Sequence, residues 1–434
     1  MTALARSVYG SSAGFEEDFA DHATELPGAA LDWLVEKRRA AMTAFAVTGI
    51  PNRRVEAWKY FDLANLLEQD LHAAGESRGV PEANPLFAQE PNRLIFSGGF
   101  LKQVAAEDGI EIVDLTHLGA EAPAWVRDNL GKLAAGPDQP LGAASLALMR
   151  GGAAIRIRRD TSLVLDFCNP VLTSPAVSHC RILIVVETGV ALRLIEIHSG
   201  ADAHGSLRNI GMELLLDPQS RLEHLRVQKD AADAVHVTSL GATLSRDSQY
   251  RACYAALGGN LSRLDLNIRL AAPNSEAVLH NVAALSAGIV DLTSVMDHAS
   301  PNSRSRQLFK NVVGGKGRVV NQGRVIVREG AVKSDSHQLF KALLLSPRAE
   351  ADAKPELEIF ADDVMCGHGT AIGALDEDSL FYLRSRGIPE QEAKLVLIRA
   401  FLAEAIEGFG NEETRNTLMS ELEGALMGAV NASR

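Results

Sequence analysis

The sequence predicts a mainly β protein in which a long strand region lies between two helical regions. From about residue 92, short apolar runs of period two continue for roughly 270 residues, separated by Gly, Asn, Asp and Pro; Leu264–Leu270 is the clearest. The first ~90 and last ~60 residues instead space their apolar positions near a period of 3.6. We therefore predict an N-terminal helical region and linker over residues 1–92, a β core over 93–365 and a C-terminal helical region over 366–434.

Within the N-terminal region, the apolar positions that follow Leu31 predict one helix. Gly49 is expected to end this helix, and Pro51 prevents its continuation. A second short helix is predicted over Glu56–Leu67, before a linker rich in Gly and Pro.

The strand region lacks any helix-period segment of useful length. A doubly wound sheet with βαβ crossovers is therefore disfavoured, and a sandwich, a barrel and a β-solenoid remain. The length favours a solenoid, since roughly 20–30 residues per coil would give roughly ten coils. No strict repeat is visible, so any solenoid is expected to be irregular.

The C-terminal region contains start and stop signals for several helices. Acidic residues after Asp376 suit a helix N-terminus, Gly387 suits its end, and Pro389 suits the start of the next helix. Residues 393–406 are apolar nearly all round. Such a helix must be covered on more than one side, either by its own domain or by a partner.

Composition excludes several classes of protein. The 434 residues include 43 Lys+Arg and 55 Asp+Glu, and the net charge of −12 argues against a nucleic-acid platform. The N-terminus has no apolar segment of the kind found in signal peptides, and no apolar stretch is long enough to span a bilayer. We therefore expect a cytoplasmic protein that binds neither nucleic acid nor membrane.

One segment suggests metal chemistry. The 4 cysteines show no zinc-site spacing, but Cys366 and His368 are two residues apart and would share one face of an extended strand. A thiolate and an imidazole suit zinc or iron–sulfur chemistry, although two ligands do not complete a four-coordinate site. The missing ligands would come from elsewhere in the fold or from another subunit. The alternative is a buried thiol beside a hydrogen-bonded imidazole, with no metal site.

Several motifs together resemble those of the SufB/SufD family of iron–sulfur cluster assembly proteins, and the SufD branch more than the SufB branch. The N-terminal one is RRVEAWKY at Arg53–Tyr60. The downstream motifs extend over about the last 130 residues: Ser305–Gln307, Lys316–Arg318, Lys354–Ile359, Ala361–Val364, Cys366–Gly369 and Leu380–Ile388. One departure is local, because Thr370 and Ala371 stand in the reverse of the usual order.

The resemblance implies a right-handed parallel β-helix core flanked by N-terminal and C-terminal helices. It further implies a non-catalytic scaffold that pairs with SufB through the cores and binds the SufC ATPase through the C-terminal helices. His368 would lie at the SufB interface with Cys366 beside it, where a transient iron–sulfur cluster is shared. We assign the SufC contact to Phe381, Arg386, Ile388 and Phe401.

The same resemblance implies no tightly bound cofactor in this chain, because SufC binds the ATP. In agreement, Gly314–Gly317 lacks the Ser/Thr and the spacing of a Walker A loop. A homodimer is possible when the chain is isolated. Two alternatives stay open: a SufB-like scaffold that assembles clusters as a homodimer, and a β-helix enzyme that acts on polysaccharides.

Overall fold

A computed structural model describes residues 11–67, 71–77, 79–119, 122–169, 175–200 and 205–431. Its helices are α1 (Ser12–His22), α2 (Asp32–Thr48), α3 (Ala124–Asn129), α4 (Pro140–Ala147), α5 (Glu377–Ser385), α6 (Glu390–Ile406) and α7 (Glu412–Asn431). Short 3-10 turns lie at Glu56–Trp58 and Leu63–Asn65.

The strands before residue 245 are β1 (His72–Ala73), β2 (Arg93–Ser97), β3 (Phe100–Ala105), β4 (Ile110–Asp114), β5 (Gly151–Ile157), β6 (Thr161–Asn169), β7 (Ala176–Val186), β8 (Ala191–Gly200), β9 (Leu207–Leu216), β10 (Arg221–Lys229) and β11 (Val235–Leu244). The later strands are β12 (Gln249–Ala256), β13 (Leu261–Leu270), β14 (Glu276–Leu285), β15 (Ile289–His298), β16 (Arg304–Val313), β17 (Arg318–Val327), β18 (Asp335–Leu344), β19 (Glu350–Ile359) and β20 (Met365–Gly373).

The strands form two parallel sheets that wind as one solenoid. From β5 onward, sheet A contains the odd-numbered strands and sheet B the even-numbered ones, so each strand pairs with the strand two places along the chain. The solenoid has about 7 turns. Leu279, Gln307 and Gln338 share one column, which gives coils of 28 and 31 residues. The predicted parallel solenoid is confirmed, with fewer and longer coils than expected.

Alternation along each strand fills the space between the two sheets. In β13, Leu264, Leu266 and Ile268 are buried in the main core, while Asn267 and Arg269 are exposed on the outer face. Similar aliphatic columns from successive coils form one continuous core.

The N-terminal helices cover the outer face of sheet A. The predicted helix after Leu31 is confirmed as α2, and Gly49 ends it with a φ of 64°. The second predicted helix is wrong, because Glu56–Leu67 forms only the two 3-10 turns. Contacts with the solenoid decide this path: Trp58 stacks on Arg263, with the guanidinium carbon 3.9 Å from the ring centre.

Two short helices also interrupt the β core, where none was predicted. Every residue of α4 is buried, and α4 packs between α2 and strands β7, β9 and β11. A helix that is apolar on all sides has no 3.6-residue pattern, which is why the sequence did not show it.

The C-terminal helices cover the outer face of sheet B. Ile398, Leu402 and Ala405 of α6 pack with Leu418 of α7 against this sheet. Beneath them, the buried Lys310 ammonium donates a hydrogen bond of 2.7 Å to the Phe401 carbonyl. The apolar segment 393–406 is therefore covered largely by its own solenoid.

The two ends of the solenoid differ. At the N-terminal end, β3 pairs antiparallel with β2 and β4 pairs antiparallel with β5, which closes the first coils. At the other end, β19 pairs only with β17 and β20 only with β18 among the described strands. We call the surface formed by β19 and β20 the open end.

The last strand continues past the boundary predicted at residue 366. Because β20 extends to Gly373, Cys366 and His368 belong to the solenoid rather than to the helical tail. Among the described helices, none combines the length and apolar character that crossing a membrane requires.

Candidate functional site

Cys366 and His368 lie on one face of the last strand, as their spacing predicts. In the register of sheet B, Cys366 lies above Ser336 and His368 lies above Gln338. Cys366 is half-buried and packs against the main core, whereas His368 is exposed. The structure therefore places a thiol and an imidazole together at the rim of the open end.

The surroundings of Cys366 favour its neutral thiol. Partial burial raises the thiol pKa, and the nearby Asp335 carboxylate raises it further. A hydrogen bond from the Ser336 backbone N–H to the sulfur acts in the opposite direction. A bound cation would reverse this balance, because metal coordination deprotonates a thiol.

The interior beneath the pair is polar, and so is part of the interior deeper in the solenoid, where Glu196, His224 and Arg226 are buried together. Below Cys366, the hydroxyls of Ser336 and Ser305 are 2.7 Å apart. The buried His298 reaches Ser305 from sheet A at 2.9 Å. One coil further down, the column becomes apolar at Ala277. Polar groups thus line the interior directly below the open end.

The other cysteines do not join Cys366. Cys168, Cys180 and Cys253 are buried on β6, β7 and β12. Burial raises the pKa of Cys168 and of Cys253 to about 12, and that of Cys180 as well. Within the ranges that the structure describes, no three His, Cys, Asp or Glu side chains are grouped to hold a metal ion. Any further ligands would have to come from outside those ranges.

Exposed apolar side chains surround the open end. Ile359 is 44% exposed, Met365 is 65% exposed and Ile372 is 43% exposed, and Phe360 follows β19 at 61%. Large apolar groups clustered beside unpaired strand edges are typical of protein interfaces.

The residues assigned to the SufC contact lie on α5 and α6 and in the turn between them. Phe381 is 73% exposed, and Arg386 is exposed with its guanidinium 5.0 Å from the Tyr382 ring centre. Ile388 is half-buried. Phe401 is also half-buried and lies against Lys310, whose ammonium is 4.5 Å from the ring centre. A cavity of about 160 Å³, lined by Leu345, Leu380 and Ile398 together with Glu377 and Lys394, lies between α5, α6 and the end of β18.

The N-terminal RRVEAWKY motif proves to be a structural contact. Trp58 is buried on Arg263, and Gln322 donates a hydrogen bond of 2.9 Å to the Ala57 carbonyl. Glu56 pairs with Lys354 on the edge strand β19. The motif thus fastens the N-terminal segment across the outer face of sheet A.

A groove of about 420 Å³ lies on the flank of sheet B, the kind of feature that the polysaccharide-enzyme alternative requires. Both of its carboxylates, and Arg193, are engaged within the chain. Asp160 accepts a hydrogen bond from the Ala191 N–H at 2.8 Å, Glu223 accepts one from Gly410, and Arg193 pairs with Glu90. These carboxylates hold loops in place, which disfavours a role as catalytic acid and base.

The polar groups below the pair were not predicted from the sequence. Ser336 and Gln338 lie two residues apart, and so do Ser305 and Gln307, at inward positions where aliphatic residues are expected. Polar residues at inward positions of a period-two strand can be recognised in the sequence, and they indicate a polar interior. Their relation to Cys366 and His368, however, depends on the register between coils.

The fold is a parallel β-solenoid. Its open end carries Cys366 and His368, two metal-ligating side chains that do not complete a coordination sphere by themselves. A family model for the SufBD core domain of SUF-system iron–sulfur cluster assembly matches residues 171–401, and one for the SufBD N-terminal region matches residues 10–84. The chain therefore belongs to the SufB/SufD family.

Two similar proteins support this family assignment. An iron–sulfur cluster assembly SufBD family protein of Synechocystis sp. is 30% identical over 398 residues, covering 86% of this chain and 87% of that protein. The iron–sulfur cluster assembly protein SufD of Escherichia coli is 27% identical over 394 residues, covering 88% of this chain and 91% of that protein.

Proposed function

We propose that this chain is a SufD-like, non-catalytic scaffold subunit of a cytoplasmic iron–sulfur cluster assembly complex. It would pair with SufB through the open end and bind the SufC ATPase through the C-terminal helices α5 and α6. The observation that carries the proposal is the half-buried Cys366 thiol beside the exposed His368 imidazole at an unpaired strand edge. A second solenoid docked there would supply the ligands that this pair lacks.

The edge strands β19 and β20 differ in how well each can pair with a strand of a partner. β19 carries Pro355, which has no N–H to donate, and its outer face has the acids Glu350, Asp352, Glu356 and Glu358 against Lys354. Two such strands side by side would oppose like charges. β20 has no proline, and its outward positions include Gly367, Gly369 and Ala371. These features favour a different solenoid over a second copy, with strand pairing centred on β20.

The C-terminal helices support an attachment role for SufC. α5 buries only Leu380 and exposes Phe381 and Tyr382, whereas the C-terminal half of α6 is held on sheet B. ATP-driven movement of SufC would pull on the exposed arm and strain the solenoid near its open end. In this proposal, that strain exposes Cys366 and His368 while the cluster forms, and the ATP remains on SufC.

The first test is co-purification of the tagged chain with SufB and SufC, as wild type, His368→Ala and His337→Ala. His337 is the matched control, because it lies on the adjacent strand with a side chain that is 56% exposed. We expect all three complexes to form, with iron and sulfide lost at least about tenfold only in His368→Ala. Failure of the wild type to bind SufB or SufC overturns the scaffold proposal. Equal cluster content in both variants overturns the site.

A second test concerns the SufC contact. Phe381→Asp should abolish SufC binding and leave SufB binding intact. Val47→Asp is the control, because Val47 on α2 is equally exposed, at 74%. Retention of SufC by Phe381→Asp would move the contact away from α5.

A homodimeric SufB-like scaffold is the second candidate. Two copies joined at their open ends would bring together two thiols and two imidazoles, enough ligands for one cluster. Reconstitution of the isolated chain with iron and sulfide distinguishes it. A dimer that holds a cluster would favour this alternative, and a chain that binds none favours pairing with SufB.

A further inference from the structure

A buried carboxamide lies one coil below His368. Gln338 is only 6% exposed, and its register partner in the last strand is His368. The Gln338 Nε2 atom is shielded from solvent and has no hydrogen-bond acceptor within the described ranges. An unpaired amide donor therefore lies directly beneath the Cys366–His368 pair.

The neighbouring strand leaves room for this amide. A Cβ atom at Gly323 would come within 2.2 Å of the Gln338 Nε2 atom, so the amide fills the space that glycine provides. Gly323 lies beneath Pro355 in sheet A, just as Gln338 lies beneath His368 in sheet B. The carboxamide thus spans the interior in the layer immediately below the open end.

An unpaired buried donor costs about 1–3 kcal/mol, and such groups in native proteins call for an explanation. For Gln338, an acceptor from outside the described residues can arrive from the open end, because its register partner His368 lies on the last strand. Sulfide and thiolate sulfurs of an iron–sulfur cluster are anionic acceptors, and hydrogen bonds to them tune cluster potential and stability. A cluster held by Cys366 and His368 would bring such a sulfur to this layer.

We propose that Gln338 donates a hydrogen bond to a sulfur of the cluster assembled at Cys366 and His368. The proposal rests on the function proposed above and adds a residue to that site. Gln338 would stabilise the nascent cluster while it is shared with the partner subunit. It binds no iron itself, since its contribution is the N–H.

Gln307 offers a matched control. It lies one coil deeper in the same column and is 3% exposed, and its Nε2 atom likewise has no acceptor among the described residues. Its Oε1 atom accepts a hydrogen bond of 3.0 Å from the Ser294 hydroxyl. Gln338→Met and Gln307→Met each remove one buried amide and keep the side-chain length. Only the first removes a donor from the layer next to His368.

The experiment uses the co-purified complex with SufB and SufC, challenged with an iron chelator. We expect Gln338→Met to lose its cluster about tenfold faster than the wild type. A hydrogen-bond donor to sulfur stabilises the reduced, more negative cluster. The cluster in Gln338→Met, which lacks this donor, should therefore have a lower reduction potential than the wild-type cluster. Gln307→Met should match the wild type in both measurements.

Equal behaviour of the two variants, whether both normal or both impaired, overturns the role of Gln338. A wild-type complex that forms but holds no cluster overturns the proposed function itself, and this inference with it. Gly323→Ala provides a second variant in case Gln338→Met does not fold. Its Cβ would displace the amide without removing it, and it should show the same faster loss.

Discussion

The two ends of the solenoid differ in the side chains that they bury, although each sheet ends on a strand with a single described partner at both ends. At the N-terminal end, antiparallel β3 and β4 cover the first coils, and Phe96 stacks on Phe167 with ring centres 4.7 Å apart. At the C-terminal end, β19 and β20 keep free edges over an interior of serine, glutamine and histidine. We call the N-terminal end, formed by β2–β6, the capped end. It is packed with apolar side chains, whereas the open end has polar groups in its interior.

The two ends are therefore expected to contribute differently, the capped end mainly to stability and the open end mainly to partner binding. Packing of apolar groups contributes most of the folding free energy, so the capped end should dominate stability. The open end has fewer packed side chains, and its polar groups and exposed apolar residues remain accessible to a partner. Changes of similar size at the two ends should therefore have different consequences.

The largest expected effect is a loss of stability at the capped end. Phe96 is fully buried, and Phe96→Ala should cost about 3–5 kcal/mol in the free energy of unfolding. Ile372→Ala at the open end removes a side chain that is 43% exposed and should cost less than about 1 kcal/mol. Urea unfolding of both variants measures this difference, and equal losses would show that the open end is as well packed as the capped end.

The second effect is a pH dependence from the polar interior near the open end. Burial lowers the pKa of His298 to about 4, so the folded chain keeps this imidazole neutral while the unfolded chain protonates it near pH 6.5. Stability is therefore lost as pH falls from 6.5 towards 4, by about 1.4 kcal/mol per pH unit for this group. His298→Asn should remove that part of the slope in urea unfolding. An unchanged slope in His298→Asn would contradict this origin of the pH dependence.

A smaller effect on free energy should be specific for partner binding. Met365→Asp places a charge among the apolar residues at the open end and should weaken SufB binding at least about tenfold, or 1.4 kcal/mol. Val104→Asp at the capped end, where Val104 is 50% exposed, should have no effect on binding. Titration of purified SufB against both variants gives the comparison. If both weaken binding alike, the open end is not the docking surface.

The smallest expected effect is a difference in thiol reactivity. Cys366 should be the first of the cysteines to react with iodoacetamide, because Cys168, Cys180 and Cys253 are buried. Its raised pKa means that the rate should still increase above pH 9. Mass spectrometry of the alkylated native protein identifies the site. Binding of SufB should protect Cys366, and labelling of a buried cysteine first would contradict the described packing.

Much of the architecture could be predicted from local pattern. Period-two runs such as Leu264–Leu270 identified strands, and the Gly49 stop located the end of α2 correctly. Helix α4 could not be predicted, because a helix buried on all sides shows no periodicity. The segment after Pro51 was predicted as helix, yet contacts of Trp58 with the solenoid hold it in short turns.

For the candidate site, the sequence by itself determined that Cys366 and His368 share one strand face, because alternation is a local property of extended backbone. Only the tertiary structure decided what lies beneath them. Gln338 precedes His368 by a whole coil, and coil lengths vary without a strict repeat, so the register cannot be counted from one chain. That register arises from long-range packing between coils, and it places the buried amide, the serine column and the free strand edges at one end of the molecule.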